Sequence, residues 1–347
     1  MSMSNLVLKG SLTMLALRFV MRGSGLFSML VLARLLTPED FGVVAIVSLV
    51  IFLFDIISET GTQEYLIQKE NVTTEDLNSA WTLNLILKSV VFVVFLFSVD
   101  LISRYFGDPS LKNPLYVISV LLLVNGFFNP AIALYAKDLD YSPMFKMAVI
   151  EKMLSISVVI PLAFVLRNYW AMIVGLALSY SLKTILSFVY HNFRPRIGFQ
   201  RIREQWDFSK WIVAKGFLGY FRAQFDTLLV SKNFGTIELG GYNMMKNLSA
   251  LPAYDIVAPA TSPLLSSFSR NKNDLGTLTN HLHISLFIIC LLIVPVAAFM
   301  IMQHELITLV ILGEQWVDYS GLLSIMSVLL FTFSFSSIFQ HFFRALG

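Results

Sequence analysis

A single cysteine, Cys290, gives a disulfide scaffold nothing to pair and leaves no Cys-based zinc site. Charge is almost as scarce. Asp, Glu, Lys and Arg make up 14% of the 347 residues, against about 25% in an ordinary globular domain. That scarcity excludes a string of soluble domains, although the length would hold them. A hydrophobic content of 56% excludes a disordered chain. There is no G-x-x-x-x-G-K-[ST] loop, so ATP hydrolysis by that route is excluded. His281 and His283 are two apart, do not share a helix face and make a poor metal pair. No cofactor and no catalytic constellation is read from the chain. What is present is apolar length, and the fold class that follows is an all-α polytopic membrane protein.

A membrane helix needs about 20 mostly apolar residues. About ten stretches meet this, near 11–36, 41–66, 77–103, 114–136, 144–166, 169–190, 208–232, 239–265, 282–303 and 321–343. Turn-forming residues mark the joints at Thr37-Pro38-Glu39-Asp40, Gly107-Asp108-Pro109 and Gly313-Glu314. The first stretch is too long and too Arg-rich for a cleaved signal peptide and is expected to be retained. With the N-terminus in the cytoplasm, the outer joints hold Arg34, Arg104, Lys112, Arg167 and Lys232, about five basic residues against about twelve inside. Trp81, Trp170, Trp206, Trp211 and Trp316 all fall at span ends or joints, where aromatic belts form. The one longer joint, 191–207, carries Arg194, Arg196, Arg201 and Arg203. It lacks the interleaved aromatics of a single-strand binder and reads as an anchor near anionic lipid. No nucleic-acid partner is expected. Asn71-Val72-Thr73 fits a glycosylation sequon but falls on the cytoplasmic side, a chance occurrence.

The two halves echo each other. Arg34–Gly42 aligns, 198 residues on, with Lys232–Gly240, and Asp76-Leu77 with Asp274-Leu275. Gly107-Asp108 matches Gly313-Glu314, and Ser119–Leu122 matches Ser327–Leu330. A repeat of about six spans gives two pseudo-symmetric lobes related by an axis along the membrane normal, with a site at their interface. The expected domains are an N-terminal lobe 1–190, a basic linker 191–207 and a C-terminal lobe 208–347. The last has about four helices and is incomplete, so the chain reads as part of a protein of twelve or more spans.

Ionisable groups near the bilayer centre cost about 2.5–3.5 kcal/mol, so each needs a cavity, a partner or a route to the interface. At about 1.5 Å per residue, Arg18 and Arg22 lie roughly 10 and 16 Å into span 1 and share a helix face. In span 7, Lys215 and Arg222 lie at roughly 10 and 21 Å. Two cationic stripes at mid-depth suit an anion, and the arginine fork suits phosphate. The bland alternatives are snorkelling for Arg18 and Lys215 and neutralisation of Arg222 by Asp226; Arg22 is the hardest to explain without a polar cavity. Asp55, with Glu59 one turn on, and Asp255 occupy nearly equivalent places in spans 2 and 8. They read either as ion-coupling groups or as charge balance for arginines of neighbouring helices. Lys88, Glu151, Lys152, Lys183 and Lys246 are further intramembrane charges to which no role is given. Pro252, Pro259 and Pro263 predict a kinked span 8, and Pro130, Pro161 and Pro295 predict kinks in other spans.

The stretch Ala33-Arg34-Leu35-Leu36-Thr37-Pro38-Glu39-Asp40-Phe41-Gly42 closely resembles the first outer joint of Wzx-type polysaccharide flippases, in the multidrug/oligosaccharidyl-lipid/polysaccharide exporter superfamily. Glu59–Lys69, running on to Glu75-Asp76-Leu77-Asn78, resembles that family's passage from helix 2 to helix 3. Phe234–Tyr242 is a looser copy of the first joint. The resemblance implies two six-helix lobes forming a V. It implies movement of polyprenyl-pyrophosphate-linked oligosaccharide from the cytoplasmic to the periplasmic leaflet of the bacterial inner membrane by alternating access. It also implies basic cavity residues, for which Arg18, Arg22, Lys215 and Arg222 fit by helix and depth. The implied partners are the lipid-linked substrate, membrane lipids, and the glycan polymerase and chain-length machinery. A cation-coupled drug antiporter of the same superfamily and a membrane glycan polymerase or ligase are the alternatives. The first is opposed by the basic spans, the second by outer joints too short to hold catalytic groups.

Overall fold

The computed structural model describes residues 3–261, 263–270 and 274–346, without the side chains of 3–15, 18 and 275. Among these residues every regular element is helical. Two compact units divide the chain, Met1–Leu239 and Gly240–Gly347.

The first unit contains α1 (Met3–Leu35), α2 (Pro38–Ile57), α3 (Thr62–Gln68), α4 (Thr74–Phe106), α5 (Lys112–Gly126), α6 (Ala133–Lys137), α7 (Ser142–Leu166), α8 (Trp170–Tyr190) and α9 (Ile202–Phe234). Two of these start in the same way. Thr37 and Thr73 each cap a helix while the aspartate three residues on, Asp40 or Asp76, accepts from the cap's own backbone N–H. Thr73 of the sequon is thus a helix cap. Two expected spans are broken. Gly61, at φ +57°, separates α2 from α3, and a Cβ there would lie 2.0 Å from Ile212 Cδ1, so only glycine fits this turn. Between α5 and α6, Asn129 caps a short 3-10 turn, and the pair bends by 64°.

Helices pack in a connected series: α1 on α7, α7 on α8, α8 on α5, α5 on α4, with α2 and α4 both against α9. Small groups allow close approach, as expected where lipid offers no hydrophobic drive between helices. Gly175 of α8 lies against Val159 of α7, and Ser155 Oγ donates to Gly175 O at 3.3 Å. Tyr220 of α9, fully buried, donates to Leu49 O of α2 at 3.1 Å.

At one end of this unit Asp40 is 7% exposed, and its Oδ1 accepts from Tyr169 N at 2.8 Å, tying the start of α2 to the α7–α8 joint. A Cβ on Gly42 would lie 1.8 Å from Thr236 O. Thr236 Oγ1 donates to Asp108 Oδ2 at 2.8 Å, and Lys232 Nζ to Tyr105 O at 2.8 Å. At the opposite end, residues 191–199 form an extended strap along α4. The backbone N–H groups of Arg196, Gly198 and Arg201 donate to Asn78 Oδ1, Thr82 Oγ1 and Ser79 Oγ at 2.8, 2.9 and 3.0 Å. The longest joint is therefore held along its length and is no loose tether.

Lys69 closes this end. Its Nζ donates to Asp76 Oδ1 at 2.7 Å, Glu204 Oε1 at 2.9 Å and Tyr65 OH at 3.0 Å. The Lys69 hydrogen bond, then that of Tyr65, holds the Glu204 carboxyl below its ordinary 4.5. A lowered folded value means that this contribution to stability is complete above about pH 4.5 and is lost as pH falls through the folded value. Hydrogen exchange over 202–210 is expected to accelerate in that acid window, and Glu204→Gln to remove the pH dependence there while raising the exchange rate at neutral pH.

The second unit holds most of α10 (Thr236–Pro252), then α11 (Ala258–Thr261), α12 (Leu264–Arg270), α13 (Leu275–Met302), α14 (His304–Ile311), α15 (Ser320–Ser327) and α16 (Leu329–Leu346). Here α16 packs on α12 and α13, and α15 on α13 and α14, with Trp316 fully buried. The kink expected of span 8 is a π-turn over Ala253–Val257. Pro259 has no N–H for the carbonyl of Asp255, which favours the wider turn.

Among the described residues, six helical stretches are long and apolar enough to cross a membrane, or seven if the bent α5–α6 pair is one span. The other three expected spans fall on α1, where the side chains of 3–15 and 18 lie outside the described residues, on α9, which carries Lys215, Arg222 and Asp226 in its middle, and on α10, which is 17 residues long. Large apolar side chains face outward on these helices, among them Phe97 at 84% and Phe287 at 69% exposure. Outward apolar faces on helices of spanning length belong in lipid, so the chain is a multi-pass membrane protein.

Candidate functional site

The two helix breaks of the first unit create its polar interior. Where α2 gives way to α3 and α5 to α6, a cavity of about 350 Å³ opens between the ends of α2, α5 and α8 and the beginnings of α4 and α7. Its wall includes Glu59, Gln63, Trp81, Asn84, Lys88, Asn125, Phe128 and Lys183. Interrupted helices also supply hydrogen-bond acceptors. Asn84 Nδ2 donates to Gly126 O at 3.1 Å, and Trp81 Nε1 makes a longer contact of 3.4 Å with Phe127 O.

Lys88 is 3% exposed, and its Nζ forms an ion pair with Asp55 Oδ1. Gly126 leaves room for the lysine stem, since a Cβ there would lie 3.0 Å from Lys88 Cβ. Glu59 feels both Lys88 and Asp55, and its Oε1 accepts from Gly61 N at 3.3 Å. Lys183 Nζ stands 5.6 Å from the centre of the Phe128 ring, with Glu151 as its acidic neighbour. Lys88 and Lys183 in the cavity wall are thus each met by an acid from a neighbouring helix, Asp55 of α2 and Glu151 of α7.

Residues 31–321 match the family described as Polysaccharide biosynthesis protein. The chain belongs to this family. One relative is the lipopolysaccharide biosynthesis protein WzxC of Escherichia coli (strain K12), 24% identical over 316 residues, covering 88% of this chain and 63% of the relative. Among solved structures, the lipid II flippase MurJ in its inward closed conformation superposes with a TM-score of 0.71 at 14% identity, over 98% of this chain and 76% of that one. A multidrug resistance MATE family transporter of the MOP superfamily, inward-facing, gives 0.63 at 15% identity, over 93% of this chain and 80% of that one. The resemblance seen in Ala33–Gly42 and Glu59–Lys69 thus holds for family and fold. The chain spans about three fifths of the length of the curated relatives it matches.

In this member of the polysaccharide biosynthesis family the residues singled out from the sequence are dispersed. Arg22 is half-buried on α1, which packs on α7, and Arg18 is on the same helix with its side chain outside the described residues. Lys215 and Arg222 are exposed on α9, which packs on α2 and α4; Asp226, half-buried there, has Thr227 Oγ1 at 3.4 Å from its Oδ1. Asp255 is exposed on the π-turn of the second unit. Of the eight, Glu59 lines the cavity, and Asp55 is joined to it through its ion pair with Lys88. Lys88 and Lys183 are the groups that sequence reasoning passed over. The signal for Lys88 was its depth: fourteen residues past Thr74, it is about 21 Å into α4, beyond the reach of a snorkelling side chain.

Proposed function

We propose that the complete protein is a flippase carrying polyprenyl-pyrophosphate-linked oligosaccharide from the cytoplasmic to the periplasmic leaflet of the bacterial inner membrane by alternating access. The observation that carries this reading is a polar, charge-lined interior within apolar helices that share their fold with a lipid II flippase. In this reading the N-terminus is cytoplasmic, about ten spans are present, and the lobes are 1–190 and 208–347, joined by the strap. The pyrophosphate is held by Arg18, Arg22, Lys215 and Arg222, whose guanidinium and ammonium donors suit its oxygens. Asp226 and Asp255 balance charge or couple an ion, whereas the ion pair with Lys88 favours charge balance for Asp55, with Glu59 beside it. The sugar chain then passes to polymerase and chain-length machinery. A cation antiporter would keep its interior acids uncompensated, and Lys88 and Lys183 weigh against that.

The test uses the full-length protein in proteoliposomes, following lectin-accessible lipid-linked oligosaccharide on the far leaflet. Wild type is expected to flip it. Arg22→Ala and Arg222→Ala, at matched protein levels, are expected to slow flipping about tenfold or more, as the loss of a charged hydrogen bond of about 1.5–3 kcal/mol requires. Variants that flip at the wild-type rate would remove these arginines from the site, and no flipping by folded wild type would remove the function.

A further inference from the structure

The cavity under the α2–α3 break has a chemistry of its own. A site built for pyrophosphate would leave cationic charge in surplus. Here Lys88 is paired with Asp55, and Lys183 and Glu59 enter the wall with opposite signs. What the balanced charges leave for a ligand is amide and aromatic: Gln63, Asn84, Asn125 and Trp81. Primary amides both donate and accept hydrogen bonds, matching vicinal hydroxyls that do the same. An indole ring covers the C–H face of a pyranose, the amphipathic use to which tryptophan is suited.

The wall is also organised in advance. Asn84 is fixed by its donation to Gly126 O, which leaves its carbonyl end to act as acceptor, and Trp81 is steered by Phe127 O. Polar groups fixed before a ligand arrives lower the cost of binding it. Lys88 is buried while Gln63 and Lys183 are exposed, so the cavity has a buried wall and an accessible side. Its 350 Å³ lies at the small end of the range for ligand sites, about 300–1,000 Å³. That suits one sugar residue and not a whole repeat unit.

We propose that this cavity is a subsite for a single neutral sugar residue, separate from the cationic groups assigned to the pyrophosphate. The proposal rests on the flippase reading for the source of the sugar, the transported oligosaccharide, and the binding chemistry stands on the cavity alone.

The experiment is saturation-transfer NMR on the full chain in nanodiscs, with methyl glucoside, N-acetylglucosamine, glucuronate and inorganic pyrophosphate as separate probes. At least one neutral probe is expected to bind saturably, with a dissociation constant on the order of 1 mM. Gln63→Leu and Asn125→Leu, which alter one amide each, are expected to weaken it about tenfold, the cost of one lost hydrogen bond. Trp81→Phe, which keeps an aromatic ring and guards against a folding defect in the leucine variants, is expected to retain binding with an intermediate loss. Binding of pyrophosphate or glucuronate alone, binding insensitive to all three variants, or no binding of either neutral probe would overturn the proposal. Flipping is measured alongside. Wild type that flips but binds no neutral probe sinks the subsite and leaves the flippase standing; binding without flipping does the reverse.

Discussion

Asp55→Leu is expected to destabilise the first unit by about 3–5 kcal/mol, the cost of stranding one member of a buried ion pair. Lys88 is 3% exposed on α4, so with its carboxylate gone an ammonium remains in the helix interior with little access to water. The reciprocal change, Lys88→Met, is expected near 3 kcal/mol, at the lower end of the same range. Asp55 keeps 28% exposure and can recover solvation after losing its partner. The double variant Asp55→Leu/Lys88→Met removes both charges and is expected to recover most of the loss, because two apolar side chains replace a pair whose desolvation cost offsets much of its attraction. Denaturant titration in detergent measures all three, and near-additive losses in the double variant would refute the coupling. On the flippase reading proposed above, transport by the double variant of the full-length protein separates the two roles open to Asp55. If its carboxylate only balances Lys88, the stable double variant flips at the wild-type rate. If it couples an ion, the double variant folds but does not transport.

That pair also shows where the sequence stopped being informative. Apolar length located helices at each expected span, and Thr37-Pro38-Glu39-Asp40 and Gly107-Asp108-Pro109 placed their joints, because capping and turn chemistry are local. Breaks were harder. Pro252 and Pro259 announced the π-turn and Pro130 the bend between α5 and α6, but Gly61 interrupts span 41–66, which read as one continuous helix. Whether a glycine ends a helix depends on what lies beside it, here Ile212 from a distant helix. The charges suffered from the same locality. Asp226 was weighed against Arg222 because they share a helix, whereas Lys88 finds Asp55 from 33 residues away on another. In the strap, composition drew attention to arginine side chains, yet the backbone N–H groups of Arg196, Gly198 and Arg201 hold it to α4. A residue count carries no information about main-chain donors.

Asp40→Ala is expected to cost about 2–4 kcal/mol, from the lost cap interaction and from donors left without an acceptor. One carboxylate serves three of them. Its Oδ2 accepts from Thr37 N at 3.0 Å and Thr37 Oγ1 at 2.8 Å, and its Oδ1 from Tyr169 N at 2.8 Å. At 7% exposure, water replaces it poorly. The Tyr169 bond is the part that a helix cap alone does not explain, since it fixes α2 to the α7–α8 joint across 129 residues of sequence. Thr37→Val therefore isolates the smaller share: it removes the hydroxyl and should cost about 1 kcal/mol, with the bond to Tyr169 intact. Asp40→Asn keeps an acceptor for Tyr169 N but gives up the charge, and is expected to fall between the two. Hydrogen exchange at Tyr169 separates the contributions, rising strongly in Asp40→Ala, modestly in Asp40→Asn and little in Thr37→Val. Equal protection of Tyr169 in all three would mean that the joint is held by packing. The core of Leu32, Leu36, Val159, Ala163 and Ala171 would then carry it without the carboxylate.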